Sequence, residues 1–296
     1  MKFKHPIYIC LSAFIAFTMA SCGSSPSNKE KNAKDFNEQD QNLKDQIEGV
    51  VYNMPSPSEI PYLLQGTGAE FNQSLLSDRS KVDQYASRTD KAALNLGVYA
   101  ADIGYLTSYD KSQEAIDYLG ACKTLADNLN IIGSFDVEIL KRFESNISNK
   151  DSLSHLLNHS IQKTEDFLND DNRNKLSSLI ITGSFIEGLY ISTGLIKSYP
   201  KDILPEDSRN LVLTPLMRII LDQKKSVIEL SKMLSAGEQT DPIKTIVGEL
   251  NVLINSYNAL NIEEKINSNR PDLVLTDKNL VEITNSVEKL RKGITE

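Results

Sequence analysis

The chain has 296 residues, with 40 acidic against 32 basic side chains and three histidines, for a formal charge of −8 at pH 7. An acidic balance of this kind argues against nucleic acid as a partner and against adhesion to anionic lipid through a basic patch. At 40% hydrophobic residues and 7% aromatic, the chain can bury an ordinary core and does not read as a disordered one.

The N-terminus carries Lys2 and Lys4, then an apolar run from Ile7 to Met19, then Ala20, Ser21 and Cys22. This is the order of a secretory signal: basic end, short apolar centre, small-residue cleavage site. The run is shorter than the roughly 20 residues a membrane-spanning helix needs. Removal of residues 1–21 would take away two lysines and no acid, leaving the remainder still more acidic.

Met19-Ala20-Ser21-Cys22 resembles the lipobox of bacterial lipoproteins, with methionine where leucine is commoner. The resemblance implies cleavage before Cys22, a thioether-linked diacylglycerol on its sulfur and a further acyl chain on its new amine. Two or more chains, at about 0.8 kcal/mol per buried methylene, make a stable anchor. No other cofactor is expected. Cys10 leaves with the signal and Cys22 takes lipid, so Cys122 has no partner for a disulfide. Its alanine- and leucine-rich surroundings predict a buried, inert thiol.

Residues 22–48 read as a flexible tether, since 23–41 is serine, asparagine, lysine and acid with almost no apolar side chain. Gly23-Ser24-Ser25-Pro26-Ser27-Asn28 stands where surface-exported lipoproteins of Bacteroidetes often carry an acidic cluster. The expected location is therefore the outer membrane, facing the periplasm, with the cell surface as the alternative. From 49 to 296 a single all-α domain is expected, either one antiparallel helical bundle or stacked helical hairpins, with 199–206 the place where two packed halves would meet.

Apolar residues recur at three and four along this domain, which predicts helices over 59–66, 68–76, 79–86, 90–108, 111–129, 136–147, 152–170, 173–198, 206–234, 241–260 and 277–293. Ser58, Thr89, Asp110, Asp151, Thr240 and Thr276 are the expected starts. Pro215 predicts a kink in the 206–234 helix or a start there. That helix also carries a stripe of Leu213, Leu216, Ile220 and Val227, either core or an exposed contact patch.

Two helices stand apart. From Ala92 to Tyr109 the only charged residue is Asp102, and from Leu176 to Ile196 interior to the helix the lone acid is Glu187. A helix apolar on all sides is buried, so these are the expected central pair. A carboxyl there must be hydrogen-bonded, paired with a cation or held protonated. Glycines at 97, 104, 183, 188 and 194 cost roughly 1 kcal/mol each against alanine, which calls for close helix contact or a space for a ligand. One reading places Asp102 and Glu187 in a cleft lined by Tyr99, Tyr105, Phe185 and Tyr190 that binds a small cationic or hydroxylated ligand. The other has each acid satisfied in a packed core by a tyrosine hydroxyl, a backbone amide or a basic residue from a flanking helix.

His155 and His159 have the i, i+4 spacing of a metal pair, but Leu156-Leu157-Asn158 between them lacks the zincin glutamate. Their helix face lies opposite Leu153, Leu157 and Ile161, so a solvated face is favoured and no metal site is expected. The stretch from Tyr52 to Ile196, with Pro55-Ser56-Pro57-Ser58-Glu59, Leu96-Gly97-Val98-Tyr99-Ala100-Ala101-Asp102 and Phe185-Ile186-Glu187-Gly188-Leu189-Tyr190, resembles helical lipoproteins of Bacteroidetes of uncharacterised role. That resemblance implies no activity. The functional expectation is an anchored protein that binds an envelope protein partner or a small ligand, more a binder than an enzyme. The alternative is an envelope hydrolase using Asp102 and Glu187.

Overall fold

A computed structural model of the chain describes residues 69–131, 174–198, 217–237, 239–260 and 278–296, with a few isolated positions outside these. The chain divides into two compact units, 1–37 and 38–296, and every described residue belongs to the second. Among the described residues the regular structure is helical throughout, as the periodicity predicts, and the helices pack as a bundle. Of the expected helix over 136–147 only Lys141 and Ser145 are described, both helical; the expected helix over 152–170, Cys22, the tether and Pro215 lie outside the described residues.

The helices are α1 (Val82–Ala86), α2 (Thr89–Ser108), α3 (Ser112–Asn128), α4 (Asn174–Ser198), α5 (Lys224–Ala236), α6 (Asp241–Ala259) and α7 (Lys278–Thr295). Residues 217–222 are also helical and separate from α5 by a turn at Gln223. Ile220 and Val227 are fully buried, so this part of the candidate contact stripe is core. Two local starts differ from expectation. Arg88 caps α2 in place of Thr89, and Lys111 caps α3 in place of Asp110, which takes a left-handed φ of 59° in the turn.

Where a helix is expected over 68–76, the described residues 69–76 are not α-helical. Residues 69–72 lack helical structure, and Gln73–Leu75 and Arg79–Lys81 are single 3-10 turns, each opened by an Asn72 or Asp78 side chain that accepts from the amide two residues on. Such side-chain turns compete with the helix for the same backbone amides. The 69–81 segment is a strap that runs into α1.

α2 is the centre of the fold. Ala92 to Tyr99 and Ala101 to Ser108 are all buried. α4 passes the length and hydropathy test for a membrane span, yet most of it is buried inside this bundle. Three of its hydroxyls are satisfied within the helix: Thr182, Ser192 and Thr193 donate to the carbonyls of Ser178, Gly188 and Leu189.

The two central helices meet backbone to backbone. A methyl at Gly97 would overlap the Ile180 carbonyl oxygen, and one at Gly183 would overlap that of Leu94. Further along, Asp102 and Glu187 come close enough to interact directly. Both chains therefore advance in the same direction through the contact, since opposed helices touching at Gly97 and Gly183 would carry these acids apart at 1.5 Å per residue. The short polar breaks predict antiparallel neighbours, and these occur around the central pair. α2 and α3 form a hairpin, and α5 and α6 another, joined by the hydrogen bond from Ser231 to Asn251. α7 runs opposite to both central helices, pairing its Arg291 and Glu288 with Glu187 and Lys197 of α4, and its Ile294 carbonyl with Asn95 of α2.

Carbonyls at the C-terminal end of α7 are engaged by the elements around it. Asn95 donates to Ile294, Tyr85 and Lys81 to Thr295, and Lys91 to Glu296. Two lysines at the negative end of a helix dipole add to the satisfaction of its orphan carbonyls.

The glycine contact makes a contrasting pair of predictions. Gly183→Ala forces the central helices apart and is expected to cost about 1–3 kcal/mol. Gly188→Ala, which meets nothing within 4 Å, is expected to stabilise by up to about 1 kcal/mol through helix propensity. Urea unfolding reads both, and equal midpoints for the two variants would contradict the close crossing.

Candidate functional site

Asp102 and Glu187 are both 0% exposed. They sit one to two turns beyond the glycine crossing, on the facing sides of α2 and α4, because the absence of side chains at Gly97 and Gly183 lets the helices approach closely enough for two carboxyls to touch.

Each acid has its own protein partner. Ser77 of the strap donates to Asp102 Oδ2 through its hydroxyl and, at 3.3 Å, through its backbone amide. Arg291 of α7 donates to Glu187 in a two-pronged pair, Nε to Oε2 at 3.0 Å and Nη2 to Oε1 at 3.2 Å. The guanidinium lies over the Tyr190 ring, 4.5 Å from its centroid, with 17% of its side chain exposed. Bidentate geometry and the aromatic face are what arginine offers and lysine does not.

Two acids and one arginine in a dry core leave one negative charge too many. Asp102 Oδ1 has no hydrogen-bond partner among the described residues, and it is the oxygen left to carry a proton shared with Glu187. The Asp102 carboxyl is held well above the usual carboxylate range, first by burial and then by the Glu187 charge, against the pull of Ser77 and Arg291. Burial also raises Glu187, while the Arg291 charge, its hydrogen bonds and that from Asp102 lower it. One proton shared by the pair would, with Arg291, leave the cluster neutral overall.

The tyrosines do not bind the acids. Tyr99 donates to the Asp78 carbonyl at 3.2 Å, Tyr118 to the Ser77 carbonyl, and the Tyr105 hydroxyl accepts from the Asn72 amide at 2.7 Å while donating to its carbonyl at 3.3 Å. A phenol is longer than a carboxyl, so from one helix face its hydroxyl reaches past Asp102 to the strap. Tyr99 meets Tyr118 edge to face at 5.6 Å, and Phe71 stacks on Tyr105 at 5.2 Å. Phe185 is buried in the main core.

Of the six residues expected at one cleft, the fold brings Asp102 and Glu187 together, puts Tyr190 under the arginine and turns Tyr99 and Tyr105 to the strap. Ser77 and Arg291 complete the cluster and were not among the expected residues. Arg291 stands four residues after Val287 and three before Ile294, both buried, so its place on the inner face of α7 carries a sequence signal. Ser77 carries none. Cys122 is buried with its thiol pushed up by burial, in line with an inert core residue. His155 and His159 lie outside the described residues.

What this arrangement does chemically is bind a proton and lock four segments together. Because the folded acid keeps its proton above the unfolded value of about 3.9, its contribution to stability is complete below that pH and is lost as pH rises through the folded value. Asp102→Asn keeps a donor for Glu187 and an acceptor for Ser77. Urea unfolding across pH 5 to pH 8 is expected to show wild-type stability falling and the variant nearly flat by comparison; parallel curves would contradict the bound proton. Arg291→Met strands Glu187 and is expected to cost about 3–5 kcal/mol at neutral pH, with a smaller loss in acid where Glu187 protonates.

No protein-family model, curated protein or solved structure matches this chain, so its reading rests on the buried cluster and on the sequence itself.

Proposed function

We propose that this is an exported lipoprotein, anchored through acyl chains on Cys22 and projecting a helical binding domain from the outer membrane into the periplasm. The observation that carries the binding role is that both carboxyls of the central helices lie at zero exposure and are engaged by Ser77, Arg291 and each other. For an envelope hydrolase to use Asp102 and Glu187, a polymer would have to reach oxygens that no solvent touches, whereas general acid and base work needs the substrate between them. Recognition then falls to the outer surface, where Val252 of α6 and Val281 of α7 stand 50% and 58% exposed on packed neighbouring helices.

Two measurements test this reading. Labelled palmitate is expected to enter the wild-type chain and not Cys22→Ser, which should leave the membrane fraction. A photo-crosslinker at Val252 or Val281 in intact cells is expected to capture an envelope component reproducibly, while Glu187→Gln leaves that capture intact. Hydrolysis of an envelope polymer by the wild type, abolished in a Glu187→Gln variant that remains folded, would overturn the binding role in favour of the hydrolase.

A further inference from the structure

The strap is fastened differently from the helices it crosses. Its backbone hydrogen bonds within itself are local, from Leu75 to Asn72, Leu76 to Gln73 and Lys81 to Asp78. The long-range bonds described above come from side chains: three tyrosine hydroxyls grip the backbone at 72, 77 and 78, and Ser77 reaches Asp102. Leu75 seats against Gly194, where a Cβ would stand 2.5 Å from Leu75 Cδ2. Around these fastenings Gln73, Ser74, Asp78 and Arg79 are exposed, and the Arg79–Asp117 ion pair lies at the surface. An element with few buried anchors and no helix or sheet ladder is the kind that opens locally while the rest of a fold stays closed.

The same strap is one wall of the acid pair. Ser77 is buried directly on Asp102, so lifting it admits water to an oxygen that is otherwise dry. Water favours the ionised carboxyl, and a group that releases a proton on opening makes opening depend on pH in return. We propose that the 69–81 strap is a proton-coupled latch, closed over Asp102 and Glu187 while the pair holds its proton and opening, as pH rises, with release of that proton to water. The Asp102 O–H bond breaks, the proton passes to solvent, and the Glu187–Arg291 pair stays in place. Opening withdraws Leu75 from its notch and uncovers the apolar cluster of Tyr105, Ile191 and Leu195 beneath it.

The groups facing Asp102 from the surrounding elements leave this proton as the one that moves. They are Tyr85 on α1, Tyr99 and Tyr105 on α2, Tyr118 and Cys122 on α3, Glu187 on α4 and Arg291 on α7. The phenols and the thiol are all pushed upward by burial, Tyr85 and Tyr105 to about 12, and stay neutral where the acid pair titrates.

Hydrogen–deuterium exchange of the full chain, read by peptide between pH 6 and pH 8.5 and corrected for the intrinsic rate, tests the latch. The 69–81 peptide is expected to open increasingly with pH, approaching about tenfold per unit for one proton, while α2 and α4 stay protected. Asp102→Asn is expected to flatten that rise, and Ser77→Ala to raise opening at each pH while keeping the slope. Corrected opening of the wild-type strap that does not change with pH, an equal rise in Asp102→Asn, or exchange of strap and central helices in step at every pH would each overturn the proposal. If Asp102→Asn fails to fold, the wild-type and Ser77→Ala slopes decide it alone.

Discussion

Two carboxyls and one guanidinium meet in the core of this bundle, and the rest of the described fold is arranged so that they can. Asp102 comes from α2, Glu187 from α4, Arg291 from α7 and the serine that completes the set from the strap. Four segments distant in sequence are tied at one point. A slide of α4 by one turn along α2 would part Glu187 from Asp102, and a slide of α7 would strand it without Arg291. Either leaves a buried charge unpaired, which is costly in a medium that solvates it poorly.

That specificity has an energetic opposite side. A well-packed apolar triad of similar volume would often be as stable as a buried ion pair or more so. The cluster limits its own penalty by keeping a proton and so carrying no net charge, and by using a flat, aromatic-backed arginine whose two donors match the carboxylate. The glycine crossing is the other half of the arrangement. Without the bare backbones at Gly97 and Gly183, α2 and α4 would stand apart by the width of a side chain, and the acids would not reach one another.

Much of this was legible in the amino-acid order, for identifiable reasons. Two stretches apolar on every side, each holding a single acid, can only be central helices, and Asp102 and Glu187 could only be buried or catalytic. Glycines that weaken both helices pointed to close contact. The partners were harder. Glu187 and Arg291 are separated by 104 residues, and periodicity places Arg291 inward on α7 without saying which acid it meets. The tyrosines around Asp102 share its face, yet the length of a phenol takes their hydroxyls to a strap whose own apolar spacing imitates a helix. Asn72 and Asp78 break that spacing by turning the backbone with their side chains, a local competition that hydrophobic periodicity does not register.

The central claim is that the acid pair keeps a proton in the folded protein well above the usual carboxylate range, and the carboxyl carbon of Asp102 reports it directly. In a carbon-13 NMR titration of the chain with labelled aspartate, assigned by its loss in Asp102→Asn, this account predicts a resonance that stays in the protonated position well above the pH at which the other aspartates have titrated. A resonance that titrates with an ordinary aspartate midpoint near about 4 would contradict it.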